Sequence, residues 1–489
     1  MRRVIGLGAG VLSLLLLGCG SRPLQPWHKE VLKEEFSLRK AQQVASFSDY
    51  LELEERLWAE LHSRVVAQVP TGPEQALVRY SQGSLAHPEA YPINWNRSFE
   101  WTVDEPRGGV LLLHGMSDSP YSLRALGESL SQQGYWVVAL RLPGHGTAPS
   151  GLRQVSWGDM AAALRLAVEH LRLQVGGNRP LHLVGYSTGA PLAIDYTLEA
   201  LERASGEAPA GPVPTSLVLI SPALGIHPVA AWAAWKRRLS AVPGLGHLAW
   251  LSLEPEFDPF KYNSFSTNAA EQVHRLTRSV ARRLQALAAS GGVERFPPTL
   301  VFKSNVDATV STQAVVRRLL EPLNSSRHEL VLFDINRSAA KSSLMIYDPR
   351  ALTTQLVGQG NLPFAFRLIT NRDPDSSAAV VLRRPPRSTQ FEKPQPLGLN
   401  WPSAVISLSH VALPFPPDDP LYGHPAQVAE ASRGEGSPLF LGQMALQGER
   451  GLLLIPADWL MRLRHNPFYS YLDSSTLAWM RRAEASLPD

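Results

Sequence analysis

The chain has 489 residues, 44% of them hydrophobic, with 47 basic and 43 acidic side chains and a single cysteine. It is too apolar to be disordered, and a net charge of +4 is not the concentrated positive field of a nucleic-acid binder. One cysteine excludes an intramolecular disulfide, an iron–sulfur cluster and a cysteine-based zinc site, while the length admits roughly two to four domains or one large domain with insertions.

The N-terminus opens with Arg2 and Arg3, followed by an apolar run from Val4 to Gly18. As a helix that run covers about 22 Å, short of a ~30 Å hydrocarbon core, so a signal peptide fits better than a permanent span. The run ends in Leu16-Leu17-Gly18-Cys19. This resembles a bacterial lipobox, which implies cleavage after residue 18 and lipidation of Cys19. Gly20 and Ser21 follow, with no aspartate, which by the same resemblance implies the outer membrane. Cleavage removes Arg2 and Arg3 and takes the side-chain balance from +4 to +2. No later run approaches the ~18 residues of a spanning helix.

Residues 26–69 place Leu51, Leu53, Leu57, Leu61 and Val65 at helical spacing, so one or two helices form an arm over 19–90. Pro70 to Pro73 breaks the pattern. A repeating pattern then begins. Val110–Leu113 reads as a strand, and Ser119-Pro120 opens a helix that stops at Gly134. Tyr135–Leu140 is a second strand and Trp157–Leu173 a second helix, ended by Gly176-Gly177. Leu181–Gly185 and Ala190–Ala204 repeat the pair, and Ser216–Ile220, Leu300–Phe302 and Leu330–Phe333 supply later strands. Apolar strands alternating with helices predict a parallel sheet covered on both faces. Two segments interrupt the rhythm. Residues 225–295 carry Trp232, Trp235 and Trp250, with helical patches and no clear strand. Residues 337–400 carry a possible strand pair, Phe364–Thr370 with Ala378–Leu382. Both read as insertions on the edge of a domain covering 91–489. Ala404–Leu408 reads as a late strand.

The third strand runs into Gly185-Tyr186-Ser187-Thr188-Gly189 and then a helix. By composition, Gly-x-Ser-x-Gly arises in roughly one chain in six of this length. Its place between a buried strand and a helix is what makes it a nucleophile elbow, with glycines where a larger residue clashes. His114-Gly115-Met116 ends the first strand of the series. A loop there supplies one oxyanion-hole N–H and the residue after the nucleophile the other, so Met116 and Thr188 are the expected donors. The Met116 side chain is then free to line the pocket, and His114 is expected to shape the loop. Chain order places an acid and then a histidine after the serine. Asp307 follows the fifth strand and Asp334 the sixth, as runner-up. His410 follows Ala404–Leu408; His424 and His465 are the alternatives. His145, in Pro143-Gly144-His145-Gly146, precedes the serine and is expected to brace a loop.

Together His114–Pro120, Leu142–Gly146, Gly185–Gly189, Asn305–Val310 and Ser409-His410 resemble the α/β-hydrolase superfamily, in particular bacterial esterases, monoacylglycerol-lipase-like enzymes and serine aminopeptidase-like relatives. The resemblance implies an α/β-hydrolase fold, with a mostly parallel sheet, helices on both faces and a helical cap near 225–295. It implies a serine hydrolase acting on an ester or lipid-like small molecule through Ser187, His410 and Asp307 and an acyl-enzyme, with no cofactor and no metal. One departure stands out: His410 follows Asp307 by 103 residues, where the family needs far fewer. A peptidase or thioesterase on the same triad is the enzymatic alternative, and a non-catalytic lipoprotein that keeps the fold is the other. An oxidoreductase is disfavoured, because no GxGxxG turn follows the first strand. Lys236-Arg237-Arg238 beside Trp232 and Trp235 reads as a solvated helix face or a headgroup contact.

Overall fold

The structure is a computed structural model that describes residues 22–204, 211–225, 246–305, 307, 310–339, 350–402, 405, 407–424, 426–427, 439–442 and 463–487. Cys19, Trp232, Trp235 and Lys236–Arg238 lie outside the described residues. No helix among the described residues is long and apolar enough to cross a membrane.

The arm holds a helical turn, Pro26–Lys29, and one long helix, α1 (Phe47–Arg64). Ser46 caps α1 by accepting from the Asp49 N–H, while the Asp49 carboxylate reaches back to the Ser46 N–H. Phe47, Tyr50, Leu53, Leu57 and Leu61 form its buried face. A buried arginine beside the strand Tyr135–Leu140 is one of the links between arm and sheet. Arg141 is fully buried, and its guanidinium meets Glu54 at 2.9 Å and Glu35 at 3.0 Å. The Tyr50 hydroxyl donates to the Arg141 carbonyl at 2.7 Å.

The strands are β1 (Phe99–Trp101), β2 (Gly108–Leu113), β3 (Tyr135–Leu140), β4 (Leu181–Tyr186), β5 (Ser216–Ile220), β6 (Trp250–Ser252), β7 (Phe265–Ser266), β8 (Thr299–Ser304), β9 (His328–Phe333), β10 (Ala365–Asn371), β11 (Ala378–Arg384) and β12 (Gln395–Asn400). Ten of them form one sheet in the order β1-β3-β2-β4-β5-β8-β9-β10-β11-β12. From β3 to β10 every pairing is parallel. Strands β2, β4, β5, β8 and β9 are buried along their whole length, because helices cover both faces. Side-chain alternation divides them between two cores. Leu111, Leu183, Leu219 and Val301 face α3 (Trp157–Val175), α4 (Gly189–Arg203) and α5 (Thr267–Ala289). Leu112, Val184, Val218 and Leu300 face α2 (Arg124–Gln132) and the C-terminal helix α7 (Tyr469–Glu484). A shorter helix, α6 (Arg350–Gly358), precedes β10.

The predicted strand pair forms as the antiparallel β10 and β11, but with β12 it continues the central sheet instead of hanging from it. In the segment 225–295, β6 and β7 make a two-stranded ribbon where no strand was expected. Its last helix, α5, belongs to the covering layer, since Val273, Leu276, Val280 and Leu284 join the core of the sheet. Trp250 is buried, its ring 4.9 Å from that of His28 in the arm, so it packs arm to ribbon. Ser119 makes no side-chain cap, and a 3-10 turn over Pro120–Leu123 precedes α2.

The expected strand Ala404–Leu408 does not form at its described residues. There the described residues run past the strand tips as a partly buried loop. The Val405 carbonyl accepts from the Asn336 amide at 2.9 Å, and the Leu408 carbonyl accepts from the Ser304 hydroxyl. Side chains thus satisfy groups that a neighbouring strand would otherwise pair, and an apolar run fits either environment.

Candidate active site

The site is built at the C-terminal ends of β2, β4 and β8. Ser187 lies in the sharp turn between β4 and α4, with φ at +51°. That left-handed conformation costs an ordinary residue ~1–2 kcal/mol. Neighbouring strand β5 enforces it: the Ser187 N–H donates to the Ile220 carbonyl at 2.9 Å, and the Ser187 carbonyl accepts from the Ala223 N–H at 3.0 Å. The flanking glycines are required by space. A Cβ on Gly185 would sit 2.5 Å from the Ala190 Cα, and one on Gly189 only 2.0 Å from the Leu113 carbonyl oxygen.

The loop after β2 packs directly on this turn. A Cβ on Gly115 would meet the Ser187 Cβ at 3.0 Å. Among the described residues, neither the Met116 nor the Thr188 backbone N–H donates to a protein acceptor. Thr188 also stands at the N-terminus of α4, where backbone N–H groups favour negative charge. Lys261 and Tyr262 clamp the far side of the loop. The Lys261 ammonium meets Asp118 at 2.6 Å, and the Tyr262 N–H donates to the Ser117 carbonyl at 2.8 Å. The Met116 side chain is not free, because its sulfur lies 3.2 Å from His145 Nε2.

His114 and His145 are both buried and shape loops. The Leu142 N–H donates to His114 Nε2 at 3.0 Å, and His114 Nδ1 lies 2.8 Å from the Gly115 carbonyl. His145 Nδ1 lies 3.0 Å from the Pro143 carbonyl. Burial pushes the His145 pKa down to about 4 and that of His114 well below the usual imidazole range, with neighbouring His145 adding to the latter.

The structure brings Asp307 and His410 together. His410 Nδ1 lies 3.5 Å from Asp307 Oδ1, which also accepts the Val310 N–H at 3.0 Å. His410 opens a 3-10 turn, His410–Ala412, and its ring centroid is 6.4 Å from that of Tyr186, the residue before Ser187. Asp334 is engaged elsewhere. Its carboxylate holds Arg337 at 2.6 Å and accepts from the Thr370 hydroxyl at 2.9 Å. His424 and His465 face each other, ring centroids 5.9 Å apart.

Two features escaped the sequence reading. The first is Lys303, a fully buried lysine on β8 whose ammonium is paired with Asp307 Oδ2. A charged residue directly after the apolar run Leu300–Phe302, four positions before the candidate acid, was the available signal. The second is a cavity of about 120 Å³ beside His410 and the Asp118–Lys261 pair, lined by Asp258, Lys261, Val411, Phe415, Tyr422 and Arg464.

The sequence profile of the family described as serine aminopeptidase, S33, matches residues 104–336, a span that holds Met116, Ser187, Thr188 and Asp307 but ends before His410. A thermostable monoacylglycerol lipase from Bacillus sp. (strain H-257) is 25% identical over 222 residues, which cover 45% of this chain and 79% of the relative. Among solved structures, a metagenome-derived lipolytic enzyme is similar over 49% of this chain and 88% of its own, at 22% identity and a TM-score of 0.39. The monoacylglycerol lipase of Paleococcus ferrophilus is similar over 48% and 88%, at 21% identity and a TM-score of 0.36.

Proposed function

We propose that this chain, a serine hydrolase of the α/β-hydrolase fold, cleaves carboxylic esters through Ser187, His410 and Asp307 while tethered to a membrane by a lipid on Cys19. The observation that carries the catalytic part is the strained Ser187, with the loop Gly115–Met116 packed on it. His410 takes the Ser187 proton as Oγ attacks the ester carbonyl. Asp307 holds the imidazole tautomer and stabilises its positive charge. The N–H groups of Met116 and Thr188 bind the oxyanion, and one such donor lowers the barrier by ~3–4 kcal/mol in related chemistry. His410 returns the proton to the leaving alcohol, and water then cleaves the acyl-enzyme with the same base.

A lipid-like ester substrate is supported by the likeness to monoacylglycerol lipases. The family description supports a second reading, hydrolysis of aminoacyl amides on the same residues. A fluorophosphonate probe is expected to label Ser187, and Ser187→Ala to abolish p-nitrophenyl ester turnover with the fold intact. Unlabelled folded protein, or a fully active Ser187→Ala variant, would reject the nucleophile. Running ester and aminoacyl-amide panels side by side decides between the two substrate classes.

The tether rests on the apolar run that ends at Cys19. Two acyl signals are needed for stable anchoring, which a multiply acylated cysteine provides. The expected location is the outer membrane. Cys19→Ala is expected to abolish palmitate incorporation and to move the protein from the membrane to the soluble fraction. Retention of the variant in the membrane would remove the tether.

A further inference from the structure

We propose that Lys303 is a positioning residue of the catalytic machinery, which fixes the Asp307 carboxylate and keeps His410 a free base at lower pH than an unmodified acid–histidine pair would. The inference rests on Asp307 and His410 being the acid and base proposed above. Its carrier is geometry. Lys303 and Asp307 have fully buried side chains, and the Lys303 ammonium sits on Oδ2. The other oxygen, Oδ1, takes the Val310 N–H at 3.0 Å and faces His410 Nδ1 at 3.5 Å. The carboxylate is therefore held from three sides, and its rotamer is set before any substrate arrives.

The placement of Lys303 on β8 has a simple origin. The strand delivers it to the tip just below the Asp307 loop, and Asp307 folds back over the same tip. A lysine buried without a partner would be costly, and burial does press its pKa down while Asp307 opposes that. Four further groups of titratable or charged residues lie around the pair and His410. From β4 comes Tyr186, whose hydroxyl lies 3.5 Å from the His410 carbonyl. From the cavity wall come Asp258, Lys261, Tyr422 and Arg464, with Asp118 paired to Lys261. Beside Ser409 runs the segment with Arg464 and His465, and beyond Asn305 lies Asp334 with Arg337. These groups are common to the parent and the variants, so a difference between Lys303→Met or Lys303→Gln and Lys303→Arg reports on the charge at this position.

The sign follows from charge. A carboxylate beside an imidazole favours its protonated form, and an ammonium on the same carboxylate opposes that. Removing the ammonium makes His410 easier to protonate. The base is then lost at higher pH, and the acidic limb of the kcat/KM profile moves up.

The test measures kcat/KM for a p-nitrophenyl ester, and the rate of fluorophosphonate labelling, across pH in the full chain. Lys303→Met and Lys303→Gln both remove the charge, and two variants are used so that misfolding of one leaves the other. Each is expected to move the acidic limb up by roughly one pH unit, about a tenfold loss on that limb. Lys303→Arg restores the charge and is expected to keep the limb in place. An unmoved limb in a folded, active Met or Gln variant overturns the proposal and leaves Lys303 as packing. Failure of the parent protein to label at Ser187 strikes the catalytic reading first and takes this inference with it.

Discussion

Ser187 is held in a conformation that only its neighbours can enforce, and the glycines around it are fixed by backbone, not by chemistry. Gly189→Ala places a methyl group against the Leu113 carbonyl, so loss of soluble folded protein is expected, with circular dichroism as the readout. Asp307→Asn leaves the shape and removes the charge that, in the mechanism proposed above, stabilises the imidazolium. In a triad of this kind such a change lowers kcat by ~10⁴, which is the expected drop in ester turnover. Most of these residues were legible in the sequence, because a strand, a tight turn and a helix are local. Lys303 was harder to see. Its charge only makes sense once Asp307 folds back beside it.

At the scale of elements, the strands and helices with continuous apolar character form close to where their patterns place them, from β2 through α4. One failure was Ala404–Leu408, whose described residues, Val405, Ser407 and Leu408, lie in a loop although the apolar run looks the same in sequence as a strand. Helix α3 shows the opposite case, since its start is written in Ser156, whose hydroxyl accepts from the Asp159 N–H. Ser156→Ala is expected to lower stability by about 1 kcal/mol, read from the denaturant midpoint, with kcat unchanged. The arm depends on non-local charge. Glu54→Ala leaves Arg141 short of a partner in the buried centre, and a loss of about 3–5 kcal/mol is expected by the same measurement. Burial itself pushes the Glu54 pKa up, while Arg141 opposes that, so the carboxylate depends on this partner.

Across the whole molecule, several buried histidines tie stability to pH. Burial holds His28 and His328 at about 3 and His145 and His465 at about 4. In the unfolded chain these groups protonate near 6.5, so below that pH the unfolded state binds more protons. Stability is therefore fully present above pH 6.5 and falls as pH drops through 6.5 toward 4 and then 3. Thermal denaturation is expected to show a lower Tm at pH 5 than at pH 7.5. Replacing His328, whose two ring nitrogens lack partners among the described residues, with Phe is expected to flatten that slope. An unchanged slope would assign the acid sensitivity to the other buried groups.

The sequence by itself determined the alternating strands and helices, the tight turn at Ser187 and the loop that faces it. Each is set by apolar spacing and turn chemistry within a few dozen residues, and a buried parallel strand needs no distant partner to be recognised. The tertiary structure decided what lies far apart in the chain. It carried His410 over the strand tips to Asp307 across 103 residues, and it continued the sheet through β10, β11 and β12 on the way. It also set a lysine against the acid and an N-terminal arm against Arg141. Buried charges select partners by proximity in the fold, and no spacing in the sequence encodes that proximity.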